Sequence, residues 1–280
     1  MVKPTFIGIG AQKCASTWLF EILSDHPEVT LGEPKELDFF SRYYDHGFQW
    51  YERHFAYRPG VRAVGEISPS YFHEPLVPSR VESYLPHVKI LLSLRDPVER
   101  AISNHKHQVR TGLFRGVDLS FEAGLANNPM YIEQGLYATH LSKWFEYFPR
   151  DQILVVLFED ILADPLAVAH AVYTFVGVDS DHRAQALNRK SNESHIIRYP
   201  LLDQWRKRLR ARAKAGGLDW LWKTVGRLRL QKLYRSLNRL PSEHVVPPVA
   251  DATVRELRVR FADEVARTEE LIHRLLDHWR

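Results

Sequence analysis

Residues 8–18 place one lysine and two hydroxyls between a predicted buried strand and a predicted helix. The segment reads Gly-Ile-Gly-Ala-Gln-Lys-Cys-Ala-Ser-Thr-Trp. Backbone N–H groups at the N-terminus of a helix favour bound anions, and Lys13 adds a point charge at the turn. The stretch therefore predicts a P-loop-like turn that binds a phosphate group.

The order of residues in this turn argues against ATP or GTP as its ligand. A Walker A loop has Ser or Thr directly after its Lys, where the hydroxyl binds magnesium. Here Cys14 and Ala15 separate Lys13 from Ser16 and Thr17. The alternative interpretation is an ordinary strand-to-helix turn that is capped by a serine.

A second candidate anion site follows the apolar run Val88–Leu94, which is typical of a parallel strand buried on both faces. Asp96 is placed to cap a helix that begins at Pro97. Arg95 lies between this strand and Asp96, and its planar guanidinium can bind two phosphate oxygens at once. The alternative for Arg95 is a surface ion pair with Asp96, which would contribute little.

Together the two motifs resemble those of sulfotransferases that use 3′-phosphoadenosine 5′-phosphosulfate (PAPS). Lys13 to Trp18 is similar to the family's Lys-x-Gly-Thr-Thr-Trp loop, with Ala15 in place of Gly and Ser16 in place of the first Thr. The resemblance implies that Arg95 and Ser103 bind the 3′-phosphate that distinguishes PAPS from ATP. It also implies that the 5′-phosphosulfate is bound by residues of the loop, namely Gln12, Lys13, Cys14, Ala15, Ser16, Thr17 and Trp18.

The resemblance extends along nearly the whole chain and is closest to the heparan sulfate N- and O-sulfotransferases and their bacterial relatives. The segments that carry it are Glu36–Phe40, Gly65–Phe72 and Gly135–His140. It places Glu36 at the family's catalytic carboxylate. An acceptor hydroxyl is a weak nucleophile that must lose its proton, so Glu36 is the predicted general base. The alternative is an ordinary solvated glutamate in a charged run.

Two further catalytic roles are predicted. Lys13 is suited to stabilise the charge that develops on the bridging oxygen of the departing bisphosphate. His107 lies four residues after Ser103, on the same face of the predicted helix. The N-sulfotransferase branch has a functional histidine at the matching place, which implies a proton carrier or an acceptor contact. The alternative for His107 is a solvent-facing histidine in a polar run.

Two positions depart from the heparan sulfate branch. Ile67 stands where that branch has a lysine near the transferred group, which weakens the case for a polyanionic glycan acceptor. The family's late Lys-Gly-Arg loop is also absent. Arg189–Ser194 or Arg198–Pro200 could replace it over the nucleotide, so Arg198 is added to the predicted nucleotide-binding residues.

The elements that must position these residues alternate between strand and helix. This alternation predicts an α/β fold, one domain over residues 1–280 in which helices flank a central parallel sheet. The aromatic cluster between residues 39 and 55 is expected to pack in the core, with an acceptor pocket as the alternative. The predicted strands are Pro4–Gly8, Arg62–Glu66, Lys89–Leu94 and Gln152–Phe158, and the predicted helices are Ser16–Ser24, Asp164–Val176 and a docking helix at about 251–275.

The stretch Arg206–Arg239 holds twelve Lys or Arg residues against one acid, Asp219, and forms the centre of a predicted basic amphipathic helical segment at about 201–240. Such a segment can contact an anionic membrane peripherally, which would favour a glycolipid acceptor. The alternative is a solvated basic face beside a site that binds an anionic ligand.

The remaining composition favours a cytoplasmic enzyme of 280 residues. The first strand begins almost at once, which leaves no room for a secretory signal, and no apolar run approaches the ~18 residues of a membrane span. The one cysteine, Cys14, excludes an intrachain disulfide. No magnesium-binding acidic motif is recognisable, so no metal and no nucleic acid partner are expected.

The predicted reaction transfers the sulfuryl group of PAPS to an acceptor and releases 3′-phosphoadenosine 5′-phosphate (PAP). The acceptor group is a hydroxyl, less readily an amine, of a carbohydrate, a glycolipid or a small metabolite. Two alternatives remain open at this point. One is an ATP-dependent kinase that uses the same loop, and the other is a non-catalytic protein that binds anions or membranes.

Overall fold

The structure is a computed structural model that describes residues 2–56, 58–114, 116–187, 195–197, 239–241 and 245–280. Arg198, the segment Arg189–Ser194 and the basic segment up to residue 238 lie outside the described residues. The predictions made for them stay predictions.

A parallel five-stranded sheet forms the centre of the fold, as predicted. Its strands lie in the order β2-β3-β1-β4-β5, and every neighbouring pair is parallel. Because β2 and β3 lie on one side of β1 and β4 on the other, the chain reverses direction across the sheet at the carboxyl ends of β1 and β4, where α/β folds bind ligands. The strands are β1 Phe6–Gly10, β2 Val29–Leu31, β3 Ala63–Ile67, β4 Lys89–Leu94 and β5 Ile153–Leu157.

Helices follow most of the strands and flank the sheet. They are α1 Ser16–Asp25, α2 Phe48–Glu52, α3 Val77–Tyr84, α4 Pro97–Thr111, α5 Phe121–Asn127, α6 Met130–Glu133, α7 Tyr137–Phe145, α8 Phe158–Ala163, α9 Pro165–Val176 and α10 Asp251–Ile272. None of the helices in the described ranges is long and apolar enough to cross a lipid bilayer.

The chain divides into two compact units. The first contains residues 1–104, 129–191 and 251–280, and with them the whole five-stranded sheet. The second contains residues 105–128 and 192–250. In it, β6 His195–Ile197 and β7 Arg239–Pro241 form an antiparallel pair, and Val109 and Val246 form a small apolar cluster.

The core of the first unit is built where α1 and α9 pack on the sheet. Trp18, Leu19, Ile22 and Leu23 repeat at helical spacing along α1, and all four are buried there. The Tyr173 hydroxyl of α9 donates a hydrogen bond of 3.0 Å to the Ile22 carbonyl. The apolar pattern of α1 therefore has its predicted role in packing.

Local signals explain the bounds of α9. Asp164 caps its first turn by accepting a hydrogen bond of 3.0 Å from the Ala167 N–H, and Pro165 occupies the first turn. Gly177 ends the helix with φ 87°, a left-handed conformation that glycine adopts at little cost. The predicted helix Asp164–Val176 is therefore confirmed within one residue.

Other bounds differ from the prediction. β1 begins and ends two residues later than Pro4–Gly8, β2 was not predicted, and the last helix ends at Ile272 rather than near residue 275. Arg239 and Leu240, which were assigned to the basic helical segment, lie in β7 instead.

The aromatic cluster between residues 39 and 55 mostly belongs to the core. Phe39, Phe40, Tyr51 and Phe55 are buried, whereas Phe48 is partly exposed. Phe39 stacks on Tyr51 at 4.6 Å between ring centroids. Core packing is thus the main role of these rings, as expected.

Candidate active site

The anion loop, residues 11–15, joins β1 to α1 at the carboxyl edge of the sheet. Lys13 and Ala15 adopt left-handed backbone conformations with φ 72° and 74°, which costs a non-glycine residue roughly 1–2 kcal/mol. Ala15 is the N-cap of α1 but offers no side-chain hydrogen bond, and the first turn holds no acidic residue. An anion can therefore bind at the start of this helix without displacing a protein cap.

Close packing fixes the start of this loop. The Ala11 N–H donates a hydrogen bond of 2.7 Å to the Ser93 carbonyl, and the Ser93 hydroxyl donates one of 3.0 Å to the Gly10 carbonyl. Gly10 has φ 145°, and a Cβ atom there would lie 2.9 Å from the Phe72 Cβ. Only glycine fits this position without displacing its neighbours.

Tyr137 connects the anion loop to the segment after β4. Its hydroxyl lies 3.6 Å from the Cys14 Sγ and donates a hydrogen bond of 2.8 Å to the Arg95 carbonyl. Cys14 is fully buried, and burial raises the pKa of its thiol to about 11, so the thiol is neutral at physiological pH. The Cys14 side chain therefore packs in the protein interior against Tyr137.

Arg95 lies at the carboxyl end of β4, and it forms an ion pair, but not with Asp96 as the alternative interpretation had it. Its guanidinium is 3.1 Å from the Glu99 carboxylate and stacks over the Phe158 ring at 4.6 Å. Asp96 instead caps α4 through the Val98 N–H at 2.8 Å. A phosphate that binds Arg95 must therefore compete with Glu99.

Glu36 is held beside the start of α1 by its neighbour Lys35. The Lys35 Nζ donates a hydrogen bond of 2.9 Å to the Thr17 hydroxyl and lies 3.5 Å from the Glu36 Oε1. The Glu36 side chain is 47% exposed, so a substrate can reach it. The structure thus brings the predicted base next to the predicted phosphosulfate loop.

The other predicted site residues occupy different environments. Ser103 is half-buried on α4, in the first compact unit. His107 lies in the second unit, where its Nδ1 accepts a hydrogen bond of 2.7 Å from Arg110. Trp18 packs in the core, so its side chain is not available to a nucleotide. The binding or catalytic roles assigned to these residues stay predictions.

An open groove with a volume of about 500 Å³ adjoins this region. It begins at Phe20, whose ring lies 5.6 Å from the Lys35 Nζ. Three basic side chains line it against one acid, Glu33. The lining residues are Phe20, Ser24, Val29, Thr30, Leu31, Glu33, Arg53, His54, Ala56 and Arg58.

Two residues of the site were missed as functional candidates. Lys35 precedes Glu36 in a charged run, and Tyr137 lies in a segment that carries the family resemblance, but neither position suggests its contacts. Lys35 is 18 residues from its partner Thr17, and Tyr137 is 123 residues from its partner Cys14. In the described part of the chain, no three His, Cys, Asp or Glu side chains cluster as metal ligands would.

Residues 3–202 match the profile of the sulfotransferase domain. The chain is 31% identical over 194 residues to the bifunctional heparan sulfate N-deacetylase/N-sulfotransferase 3 of Homo sapiens, an alignment that covers 62% of this chain and 22% of that protein. It is 33% identical over 181 residues to the heparan sulfate glucosamine 3-O-sulfotransferase 6 of Mus musculus, covering 62% and 52%. The chain thus spans between about a fifth and a half of these curated relatives.

A solved structure matches over the full length of both chains. It is the crystal structure of a sulfotransferase from Alicyclobacillus acidocaldarius, which shares 28% sequence identity and superimposes with a TM-score of 0.72.

Proposed function

Since the chain belongs to the sulfotransferase domain family, we propose that it transfers the sulfuryl group of PAPS to a hydroxyl group of an acceptor. The observation that carries this proposal is the position of Lys35, which contacts both Thr17 at the start of α1 and Glu36. A carboxylate thereby lies beside a helix N-terminus that is built to bind an anion. This arrangement suits transfer from a bound phosphosulfate to a nucleophile that must lose a proton.

The donor would lie along the carboxyl edge of β1 and β4. The N–H groups at the start of α1 and the Lys13 ammonium would bind the 5′-phosphosulfate. Arg95 would release Glu99 to bind the 3′-phosphate, and Ser103 would assist it. Arg198 is the predicted contact over the nucleotide.

In the reaction, the acceptor oxygen attacks sulfur in line with the bridging oxygen of the phosphosulfate. As the new oxygen–sulfur bond forms, the acceptor proton passes to the Glu36 carboxylate. The bond between sulfur and the bridging oxygen breaks, and PAP leaves with the bonding electrons. Lys13 stabilises the charge on that oxygen, and positioning contributes much of the acceleration.

The groove beside Lys35 supports a carbohydrate, glycolipid or small-metabolite acceptor. Its two arginines, Arg53 and Arg58, favour an acceptor that also carries an anionic group. The named relatives are heparan sulfate sulfotransferases. The family resemblance implies that their branch has a lysine near the transferred group where this chain has Ile67. We therefore propose a smaller acceptor than a long polyanionic glycan.

Calorimetric titration with PAP, AMP and ATP tests the donor. We expect tight binding of PAP that depends on its 3′-phosphate and needs no magnesium. No preference for PAP over AMP would overturn the donor assignment, and a preference for ATP with magnesium would favour a kinase.

Transfer is tested with radiolabelled PAPS and an acceptor panel of heparosan oligosaccharides, an alkyl glucoside and a phenol. We expect magnesium-independent labelling of at least one acceptor. Tight PAP binding without any transfer would favour a non-catalytic anion-binding protein.

A further inference from the structure

Glu66, the fourth residue of β3, is a buried carboxylate with no cationic partner among the residues that the structure describes. Three hydroxyls donate to it. Those of Tyr51 and Tyr71 reach its Oε1 at 2.8 and 2.7 Å, and that of Ser68 reaches its Oε2 at 2.6 Å. Burial raises the pKa of Glu66, and the three hydroxyl donors partly oppose that shift. Burying a carboxylate without a cationic partner costs free energy, so packing alone does not explain why a glutamate occupies this position.

Two of these hydroxyls continue to the carboxylate loop, residues 32–41, which carries Glu36. The Ser68 oxygen accepts a hydrogen bond of 3.0 Å from the Asp38 N–H, and the Tyr71 oxygen accepts one of 3.4 Å from the Phe40 N–H. These amides lie two and four residues after Glu36. Glu66 is therefore connected to the loop at two points.

The direction of these hydroxyls depends on Glu66. A hydroxyl has one proton and two acceptor lone pairs. Because the Ser68 and Tyr71 hydroxyls donate their hydrogen bonds to Glu66, the lone pairs of both oxygens remain to accept from the two amides. Removing the acceptor would free each hydroxyl to rotate and to compete with the amide as a donor.

The loop needs such a restraint because its backbone is unfavourable. Glu36 and Asp38 adopt left-handed conformations with φ 62° and 50°. Non-glycine residues keep this conformation only where their surroundings hold them in it. Asp38 is also held by the Ser70 hydroxyl, which donates to its Oδ1 at 2.6 Å.

We propose that Glu66 is a positioning residue for Glu36, and that it orients the Ser68 and Tyr71 hydroxyls so that they hold the carboxylate loop in its reactive conformation. This inference rests on the proposed function. Glu66 touches neither substrate in this scheme and acts only through the backbone of the loop.

Glu66→Gln tests the proposal with little change in volume. One acceptor oxygen becomes an NH₂ donor, so the Ser68 proton loses its acceptor. We expect kcat to fall about tenfold with an unchanged Kd for PAP, measured with the fastest acceptor of the panel. Glu264→Gln is the matched control. Glu264 is also a buried carboxylate, but it accepts from Thr139 and Arg267, and its variant should keep kcat.

A double variant separates positioning from a merely structural role. If Glu66 acts through Glu36, adding Glu66→Gln to Glu36→Gln should lower kcat no further, because the positioned group no longer takes a proton. An equal fold loss in both backgrounds would overturn the proposal.

Amide hydrogen exchange tests the connection without any acceptor. In the wild-type protein the Asp38 and Phe40 amides should be protected. Glu66→Gln and Ser68→Ala should speed exchange at Asp38 about tenfold or more, and Tyr71→Phe should do so at Phe40, whereas Glu264→Gln should change neither. Unchanged exchange in the first three variants would overturn the proposal.

The two levels of the proposal fail in different ways. If the wild-type protein neither binds PAP nor transfers from PAPS, the proposed function fails, while the exchange rates still report whether Glu66 holds the loop. If transfer occurs and the Glu66→Gln kcat is unchanged, only the positioning role fails. Ser68→Ala and Tyr71→Phe repeat the kcat test if Glu66→Gln does not fold.

Discussion

The anion loop and the carboxylate loop lie beside each other, yet they are held in different ways. The anion loop is fixed mainly through its backbone, because the Ala11 N–H donates to the Ser93 carbonyl and the space around Gly10 admits only glycine. The carboxylate loop is fixed by side-chain hydroxyls that converge on Glu66. Both loops contain unfavourable left-handed residues. On the proposed function, we therefore expect backbone fit to govern donor binding and polar side chains to govern proton transfer.

Glu36→Gln, in the carboxylate loop, should have the largest effect, and this effect should be on kcat. The amide cannot take the acceptor proton, so kcat should fall roughly a hundredfold or more. The Kd for PAP should stay near its wild-type value, because PAP lacks the sulfuryl group that would compete with Glu36 for Lys35. Glu74→Gln, at another exposed carboxylate, is the control. A normal kcat for Glu36→Gln would refute the assignment of the base.

Gly10→Ala should produce the opposite pattern. Its Cβ would lie 2.9 Å from the Phe72 Cβ and 3.1 Å from the Pro69 carbonyl oxygen, so the loop must move. We expect PAP affinity to fall about thirtyfold, or about 2 kcal/mol, the usual scale of overpacking. Gly47→Ala is the control, since Gly47 also has positive φ but no atom within 4 Å of the new Cβ. Equal effects on PAP binding would contradict the packing argument.

At alkaline pH, the buried Cys14 thiol of the anion loop should lower the stability of the protein. Burial raises its pKa to about 11 from the model-compound value of 9.0. The unfolded chain therefore loses the thiol proton first, and stability falls as the pH rises between these two values. From about pH 8 to about pH 10.5, the wild-type protein should lose about 2 kcal/mol more than Cys14→Ala in its free energy of unfolding. Denaturant titration at both pH values measures this difference, and parallel losses would contradict it.

Tyr137→Phe should have the smallest effect on the anion loop. It removes the hydrogen bond to the Arg95 carbonyl and the contact with Cys14. We expect a loss of about 1 kcal/mol, or about fivefold in PAP affinity. Tyr173→Phe removes a similar buried bond, to the Ile22 carbonyl, and should lower stability without changing PAP affinity. If both variants bind PAP equally well, Tyr137 does not position the donor site.

Much of the fold could be predicted because its signals are local. The run Lys89–Leu94 gave the bounds of β4, and Asp164 with Gly177 gave those of α9. β2 was missed because Val29–Leu31 is too short to show a period. The bounds of β1 shifted because Gly8 and Gly10 look like a turn but lie within the strand, where a close neighbour leaves room only for glycine.

The site was predicted only where a linear motif carries it. Lys13, Arg95 and Glu36 could be named from motifs, whereas Lys35 and Glu66 could not be assigned contacts. The bonds from Ser68 to Asp38 and from Tyr71 to Phe40 span 30 and 31 residues. Such contacts depend on how β3 lies beside the carboxylate loop, which no periodic pattern encodes.

The single ammonium group of Lys35 contacts both the first turn of α1, through Thr17, and the carboxylate loop, through Glu36. The sulfuryl group of PAPS, bound near Thr17, would attract this ammonium and weaken its ion pair with Glu36. By thermodynamic reciprocity, whatever strengthens the pairing with Glu36 must oppose the donor. The two substrates would then add in sequence, donor before acceptor. A Lys35→Met variant should lose that order in bisubstrate kinetics and hydrolyse PAPS more readily in the absence of an acceptor.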